Sequence, residues 1–576
     1  MYQPPIEDYD FLLRDIVDGG RVLELITGGA VKLDDVAEIL SGAAALAVER
    51  WHPLNAVGER VGNHIEDGQV ITPPGTMQAY RAVAEAGWVG AAAPSEVGGD
   101  GLPWIIRCPL EELWSAANPA LALLTGLSGA AIEAVHAAAD EHVRSAYLPQ
   151  LVSGSWTGTM NLTEPQAGTD LAAIRTTARP NTDGTWSVKG QKIFITWGDH
   201  DLTDNIVHLV LARTPDAPAG LDGLSLFVVP KFLPDRDGAH TIRNPVHTVA
   251  LEHKLGMRAS PTCVLDYDNA TGFLIGTRNR GLASMFVMMN ASRVGAAVMG
   301  LGVSDRAYQQ ARDYAAERIQ GSVVDRPDGT PIAEHPDVAR LLMSMASIVS
   351  AMRAVSVQVA QWLDLTATDA RAARCAEFFV PVIKGWFTET SLQVTSDAVQ
   401  VHGGAGFIED TGVAQHYRDA RILPIFEGTT AVQAKDLVSR KVLRDHGATA
   451  TLILGETATT ADKLRGIAHP VAARIAERLD RAVASARRAT ETLLGFAAET
   501  RQRDVYTGSV AYLAMWGLLA GGWMHARMLL AALANDDEHT GRRVAEADFF
   551  GAHHLSRIGW LAETIDAGEI LATTEE

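Results

Sequence analysis

The apolar positions of this chain fall into two kinds of pattern. Over most of its length they recur at three- and four-residue spacing, which predicts amphipathic helices; over residues 156–276 they alternate or run on between Gly, Pro and Asp, which predicts strands. Ahead of that β module the spacing predicts a short helix at 11–18 and then a polar, glycine-containing turn. A helical unit follows over 33–70, leading toward the ring of Trp51, with further helices at 77–86, 110–125 and 129–147. Inside the module, residues 186–196 alternate around Gly190, and 206–211 and 224–229 are short apolar runs. An extra piece at 230–253 is rich in charged and turn-forming residues. Beyond it the pattern predicts helices at 281–318, 338–366, 370–401 and 433–442, a linker at 445–460, and a last helical unit with helices at 471–498, 510–530 and 545–567. The expected architecture is α+β and multidomain. It comprises an N-terminal extension (1–34), a helical N-terminal domain (35–155), a central β-barrel-like domain (156–277), a helical bundle (278–450) and an additional C-terminal helical domain (461–576).

Composition narrows the function classes. In 576 residues, 69 Asp and Glu against 49 Lys and Arg give a net charge of -20, which weighs against nonspecific binding to nucleic acid or an anionic membrane. The three cysteines, Cys108, Cys263 and Cys375, supply no disulfide framework and no CxxC metal site, and fit a cytosolic compartment; no metal is expected. The N-terminus lacks the apolar core of a signal peptide. The longest apolar run, 510–524, is short for a membrane span and contains Gly521 and Gly522, so a buried helix is expected. Met285, Met288 and Met289 read as core packing. The arginines Arg474, Arg478, Arg481, Arg487 and Arg488 are interleaved with acids and read as a solvated helix face.

Four stretches carry candidate chemistry. The loop Met160-Asn161-Leu162-Thr163-Glu164-Pro165-Gln166-Ala167-Gly168-Thr169-Asp170 offers small residues, exposed amides and hydroxyls to a polar ligand, although Gly-Thr-Asp is also an ordinary turn. Glu317-Arg318 closes a helix, where the arginine is either a phosphate clamp or a surface cation. Gln400-Val401-His402-Gly403-Gly404-Ala405-Gly406-Phe407 lets backbone lie against a nucleotide, but it follows no strand and is not a Rossmann fingerprint. In Pro424-Ile425-Phe426-Glu427-Gly428-Thr429 a single carboxylate sits in an apolar setting, which raises a carboxyl toward the range useful to a general base. A glycine-rich loop at 94–101 is either a neighbour of a ligand or a connector.

Taken in this order and with Lys192-Ile193-Phe194-Ile195-Thr196, these motifs resemble the acyl-CoA dehydrogenase family, and within it the longer members with an added C-terminal domain. The resemblance covers nearly the whole chain. It implies FAD as cofactor and dehydrogenation of an acyl-CoA to the trans-2-enoyl-CoA. The acyl group would be a short thioether such as 3-(methylthio)propanoyl, or a medium or long straight chain. It also implies electron transfer to an electron-transfer flavoprotein, a homo-oligomer (a dimer), no nucleic-acid partner and a cytoplasmic location. Leu162, Thr163, Gly168 and Thr169 would line the flavin and thioester, Phe194 would lie over the flavin, and Thr196 would approach its N5 region. Arg318, Gln400 and Gly404 would contact the pyrophosphate or adenosine of an FAD bound mainly by the neighbouring subunit, with Thr429 beside the cofactor. Glu427 would be the catalytic base, its backbone amide sharing the thioester oxygen with a ribityl hydroxyl, and Phe426 stands where a tyrosine is common. An acyl-CoA oxidase of similar fold is an alternative, told apart by peroxide formation without an added acceptor. A flavin-bearing nucleic-acid-associated protein is disfavoured by the acidic balance.

Overall fold

The computed structural model describes residues 2–568. Its chain forms two compact units: Gly42–Pro103 with Leu113–Gly295, and Met1–Ser41 with Trp104–Glu112 and Ala296–Glu576.

The first of these units holds a mixed seven-stranded sheet. Its path runs Val246–Leu251, Thr262–Ile275, Trp186–Thr196, Thr177–Pro180, Asn205–Arg213, Trp156–Asn161, while Leu224–Pro230 pairs with both Thr262–Ile275 and Asn205–Arg213. The expected barrel-like domain is thus corrected to a mixed sheet that is not a barrel. Val246–Leu251 and Trp156–Asn161 are its ends, and Thr177–Pro180 meets Asn205–Arg213 at the single pair Thr177↔Arg213. The physical reason lies in pairing: among the described strands Val246–Leu251 joins only Thr262–Ile275, and Trp156–Asn161 only Asn205–Arg213, so the sheet keeps two end strands. Asn205–Arg213 is buried at every position except its last and Leu224–Pro230 at every position, so both faces of these strands are covered. Trp156–Asn161 pairs parallel with Asn205–Arg213 and packs under the Pro119–Ala138 helix. That approach requires Gly158, because a Cβ there would lie 2.3 Å from the Ala131 Cβ.

The local punctuation differs from the predicted helix boundaries where side chains cap. Asn118 accepts a hydrogen bond from Leu121 N and Pro119 occupies the first turn, so one helix ends at Ala117 and the next runs Pro119–Ala138. Asp140 likewise caps Glu141–Val152. The unit predicted over 33–70 is helical only to Val61. Residues 64–71 form a hairpin, His64–Glu66 with Gln69–Ile71, turned by Asp67 and Gly68, both at positive φ. Trp51 is fully buried, with its ring 4.9 Å from that of Trp114. The extra piece at 230–253 supplies a small hairpin, Phe232–Pro234 with His240–Arg243, and then the edge strand of the main sheet.

The second unit is helical. Pro336–Asp364, Ala370–His402, Pro470–Ala498 and Ser509–Asn535 are its long members, with Thr540–His553 packed on the first, third and fourth of them. The turn expected before residue 34 is instead a helix, Gly19–Thr27. The linker expected at 445–460 is also helical, Ala448–Arg465. Asp445 accepts from Gly447 N, Thr449 N and Thr449 Oγ1, and Ile453, Leu454, Ala461 and Leu464 are buried. Threonines lower the helix propensity of this segment, and tertiary burial overrides it. The residues 104–112 join this unit through two carboxylates. Asp364 accepts from Trp104 N and Ile105 N, and burial lifts its carboxyl to about 7. Glu112 pairs with the buried Arg353, whose guanidinium also reaches Asp8 and Asp305 at 3.3 Å, and Tyr9 donates its hydroxyl to Glu112.

Four helices among the described residues, Pro119–Ala138, Gly281–Glu317, Pro336–Asp364 and Ser509–Asn535, are long and apolar enough to cross a membrane. The last extends the 510–524 run to 27 residues, beyond the length expected from the run alone. More than half of the apolar window of each is buried in protein, as in a soluble fold. Replacing Gly158 by Ala should lower stability by about 1–3 kcal/mol, read as a lower denaturation midpoint, because the added methyl overpacks the helix on the sheet.

Candidate active site

The loop 162–170 is built around one carboxylate. Glu164 Oε1 accepts from Thr176 N at 3.0 Å, Thr176 Oγ1 at 2.6 Å and Lys192 Nζ at 2.8 Å, while Oε2 accepts from Arg175 N at 2.8 Å and Gln166 Nε2 at 2.6 Å. Lys192 is 0% exposed and gives a second hydrogen bond, 2.8 Å, to the Leu162 carbonyl. Ile193 N donates to the Thr163 carbonyl at 2.9 Å. The loop is therefore tied residue by residue to the Trp186–Thr196 strand. Burial alone would raise the Glu164 carboxyl, but the Lys192 charge and the donors of Thr176 and Arg175 outweigh it and hold the group at about 2. Burial pulls the Lys192 ammonium down to about 8, against the pull of Glu164. Leu162 is buried, Thr163 half-buried, and Gly168 and Thr169 exposed.

Strand alternation inward from Val188 through Lys192 would bury Phe194 as well. It does not, because the pairing slips. Against Thr262–Ile275, Cys263 faces Ile195 and Leu265 faces Lys192, so this strand spends one residue more than its partner. Phe194 sits at that bulge with φ +59°, its ring 58% exposed, while Ile195 goes into the core and Thr196 stays half-buried. A bulge that re-aims one side chain out of a sheet is a recurrent device beside functional sites. Thr163 and Thr196 flank Phe194 along the strand and its attached loop. An exposed ring with hydroxyls and backbone amides around it suits a flat heteroaromatic ligand with a polar edge.

In the helical unit, Glu427 is half-buried at φ +56° and is followed by Gly428 at φ +89°. Gln433 Nε2 donates to the Glu427 carbonyl at 3.0 Å, and Lys384, 0% exposed, donates to the Leu423 carbonyl at 2.9 Å and the Gly428 carbonyl at 2.7 Å. Thr429 caps the Thr430–Asp436 helix through its hydroxyl, accepting from Val432 N. Arg318 and Gln400 are exposed at the ends of their helices. These ends are brought together by Tyr314 and His402, whose rings stack at 4.3 Å. Gly403–Phe407 then forms a 3-10 turn with Gly404 exposed and Phe407 87% exposed. The glycine run closes a helix instead of opening one, so it lies at the negative end of the helix dipole and offers no N-terminal phosphate cradle.

Comparison with known proteins gives a consistent result. Models for the acyl-CoA dehydrogenase N-terminal domain (residues 58–155), middle domain (159–270) and C-terminal domain (279–443), and for the acetyl-CoA dehydrogenase C-terminal-like family (453–573), match in order. The 3-methylmercaptopropionyl-CoA dehydrogenase of Ruegeria pomeroyi is 45% identical over 96% of both chains. The chain belongs to the acyl-CoA dehydrogenase family. A broad-specificity linear acyl-CoA dehydrogenase of Mycobacterium tuberculosis is 34% identical over 98% of this chain and 97% of its own. An acyl-CoA dehydrogenase structure from Bacillus anthracis, complexed with FAD, shares the fold with a TM-score of 0.74 at 22% identity, covering 93% of this chain and 88% of that one.

An acyl-CoA dehydrogenase removes hydrogen from Cα and Cβ of an acyl-CoA thioester with FAD as cofactor, and that is the activity of this chain. The residues present fit the cofactor: the outward ring of Phe194, the hydroxyls of Thr163, Thr169 and Thr196, and the open backbone at Gly168, where an added Cβ would meet nothing within 4 Å. Glu164 and Lys192 lie inside the sequence motifs, though spacing alone specifies no task for them, and Lys384 and Gln433 lie outside the motifs. Inward alternation from Val188 marks Lys192, and a lysine inside the run Val380-Pro381-Val382-Ile383-Lys384-Gly385-Trp386-Phe387 marks Lys384.

Removing the cation of the first pair, as in Lys192→Met, should cost about 3–5 kcal/mol by stranding a buried carboxylate, and should weaken FAD retention. The sign of the acid dependence follows from Glu164. Its carboxyl stays ionised in the folded enzyme down to about 2, against 4.5 for the free group. Its contribution, about 3 kcal/mol, is therefore complete above that ordinary value and is lost as pH falls through the folded one. Denaturation midpoints across the acid range should show this fall in the wild type and a flatter profile in Glu164→Gln.

Proposed function

We propose that the substrate is a short thioether acyl-CoA of the 3-(methylthio)propanoyl type and that Glu427 is the catalytic base. The observation that carries the substrate is 45% identity, along nearly the whole of both chains, to an enzyme named for that acyl group. The relative named for linear acyl-CoAs supports a second reading, straight-chain substrates. Placement of Glu427 on a loop held by hydrogen bonds from two buried side chains supports its role, since a base must be held within reach of one proton.

FAD, when bound, supplies the hydride acceptor. Glu427 takes the α-proton as the β-hydrogen leaves with its electron pair, and the two lost hydrogens leave the trans-2-enoyl thioester. Leu162, Thr163, Gly168 and Thr169 would line the flavin and the thioester, Phe194 would lie over the flavin, Thr196 would approach its N5 region, and Thr429 would stand beside the cofactor. Arg318, Gln400 and Gly404 would contact the pyrophosphate or adenosine of an FAD bound mainly by a second copy. A homodimer in the cytoplasm, passing electrons to an electron-transfer flavoprotein, completes the proposal.

Anaerobic bleaching of the bound flavin's visible absorbance by a panel of acyl-CoAs tests the substrate. The thioether substrate should bleach it fastest; faster bleaching by a medium or long straight chain would select the second reading. Glu427→Gln should keep the yellow cofactor and lose reduction by about three orders of magnitude or more. Near-normal turnover in that variant would remove Glu427 from the chemistry.

A further inference from the structure

A residue with a side chain is strained at positive φ, and two such residues in succession reverse the chain sharply. Glu427 carries that strain at +56° and Gly428 follows at +89°, where glycine is favoured because any side chain would be strained and a Cβ would lie 2.8 Å from Gln433 Nε2. What holds the pair in this conformation comes from two neighbouring helices. From Ala370–His402, Lys384 reaches the carbonyls of Leu423 and Gly428, the two ends of the segment that carries Glu427, at 2.9 and 2.7 Å. Its ammonium also stands 6.0 Å from the Phe426 ring centroid. From Thr430–Asp436, the buried Gln433 places its amide 3.0 Å from the Glu427 carbonyl and 3.4 Å from that of Gly428. Thr430 N closes the segment on the Pro424 carbonyl at 3.1 Å.

We propose that Lys384, assisted by Gln433, is a positioning residue that fixes the Glu427 backbone so that its carboxylate meets the α-hydrogen of the acyl-CoA. This rests on Glu427 being the base. A fully buried lysine is costly to place, and here its donors go to the two carbonyls that set the loop's ends. An ammonium offers donors in several directions from one point, so both carbonyls converge on it and the loop between them closes into a tight arc. Neither residue is assigned contact with the substrate; both act through the backbone.

The test uses FAD-loaded Lys384→Met, Gln433→Met and Glu427→Gln, and two substrates. One is an oxidisable acyl-CoA, which reads anaerobic flavin reduction. The other is an acyl-CoA with sulfur at the β position, which has no β-hydrogen to give up and so reads only exchange of its α-hydrogen with solvent deuterium. Lys384→Met should slow exchange and reduction together by about 100-fold, the scale of a misplaced reacting group. FAD content and affinity for the β-sulfur analogue should stay at wild-type values. Loss of affinity and FAD in step with exchange would overturn positioning in favour of a merely structural role. Wild-type exchange in Lys384→Met, with Glu427→Gln inactive, would overturn the role of Lys384 alone; wild-type exchange in Glu427→Gln would overturn the base and this proposal with it. Should Lys384→Met not fold, Gln433→Met decides: slowed exchange with FAD retained supports the clamp, and unchanged exchange overturns it.

Discussion

A buried ammonium must be surrounded by oxygen, because leaving it unpaired in a protein interior costs more than a folded chain can spare. This constraint organises both loops that carry the candidate chemistry. Lys192 in one unit and Lys384 in the other are among the largest fully buried side chains of the protein. Each directs donors at main-chain carbonyls of a loop: Lys192 at Leu162, together with the Glu164 carboxylate, and Lys384 at Leu423 and Gly428. Irregular backbone has no ladder to hold it, so its geometry has to be imposed from outside. A lysine anchored in a regular strand or helix does so with a reach of several bonds and donors in more than one direction.

The same loops show where regularity is given up. Phe194 is turned out of its strand by a one-residue bulge and positive φ, and Glu427 is turned at the head of a left-handed pair. Each departure stores strain that the surrounding hydrogen bonds must outweigh. Phe194, for its part, loses a core position and gains 58% exposure. The scaffold is unyielding for the opposite reason. The strands Asn205–Arg213 and Leu224–Pro230 are buried on both faces, and the close contact at Gly158 leaves the overlying helix no room to shift.

Ion pairing in the helical unit follows the rule in another form. Arg353 is enclosed by Glu112, Asp305 and Asp8, three acids against one guanidinium, and burial raises Asp305 to about 6. The residues 104–112 and the N-terminal segment are thereby fastened to the long helices by charge as well as by packing. The exposed charges of Pro470–Ala498 contribute less. Arg474 and Arg478 meet Asp548, and Arg488 meets Asp566, at a surface where water competes.

Much was determined by the sequence alone. Periodicity placed the helices Gly281–Glu317, Pro336–Asp364 and Ala370–His402 to within a few residues, because long amphipathic runs impose their own register. Five ordered motifs marked the family, because segments that meet a cofactor need particular small and polar residues. Local punctuation is legible but lies inside apolar patterns that outweigh it: Asn118-Pro119, Asp140 and Asp67-Gly68 are cap and turn signatures. The tertiary structure alone decided whether the sheet closes, since closure depends on which strands pair and not on what each strand is. It also decided that residues 448–465 are a helix, through burial against neighbours far along the chain. Above all it decided the environment of Lys192, Lys384, Phe194 and Glu427. Their tasks depend on distances to residues 28 to 44 positions away and on two positive φ angles, and no spacing along a chain specifies either.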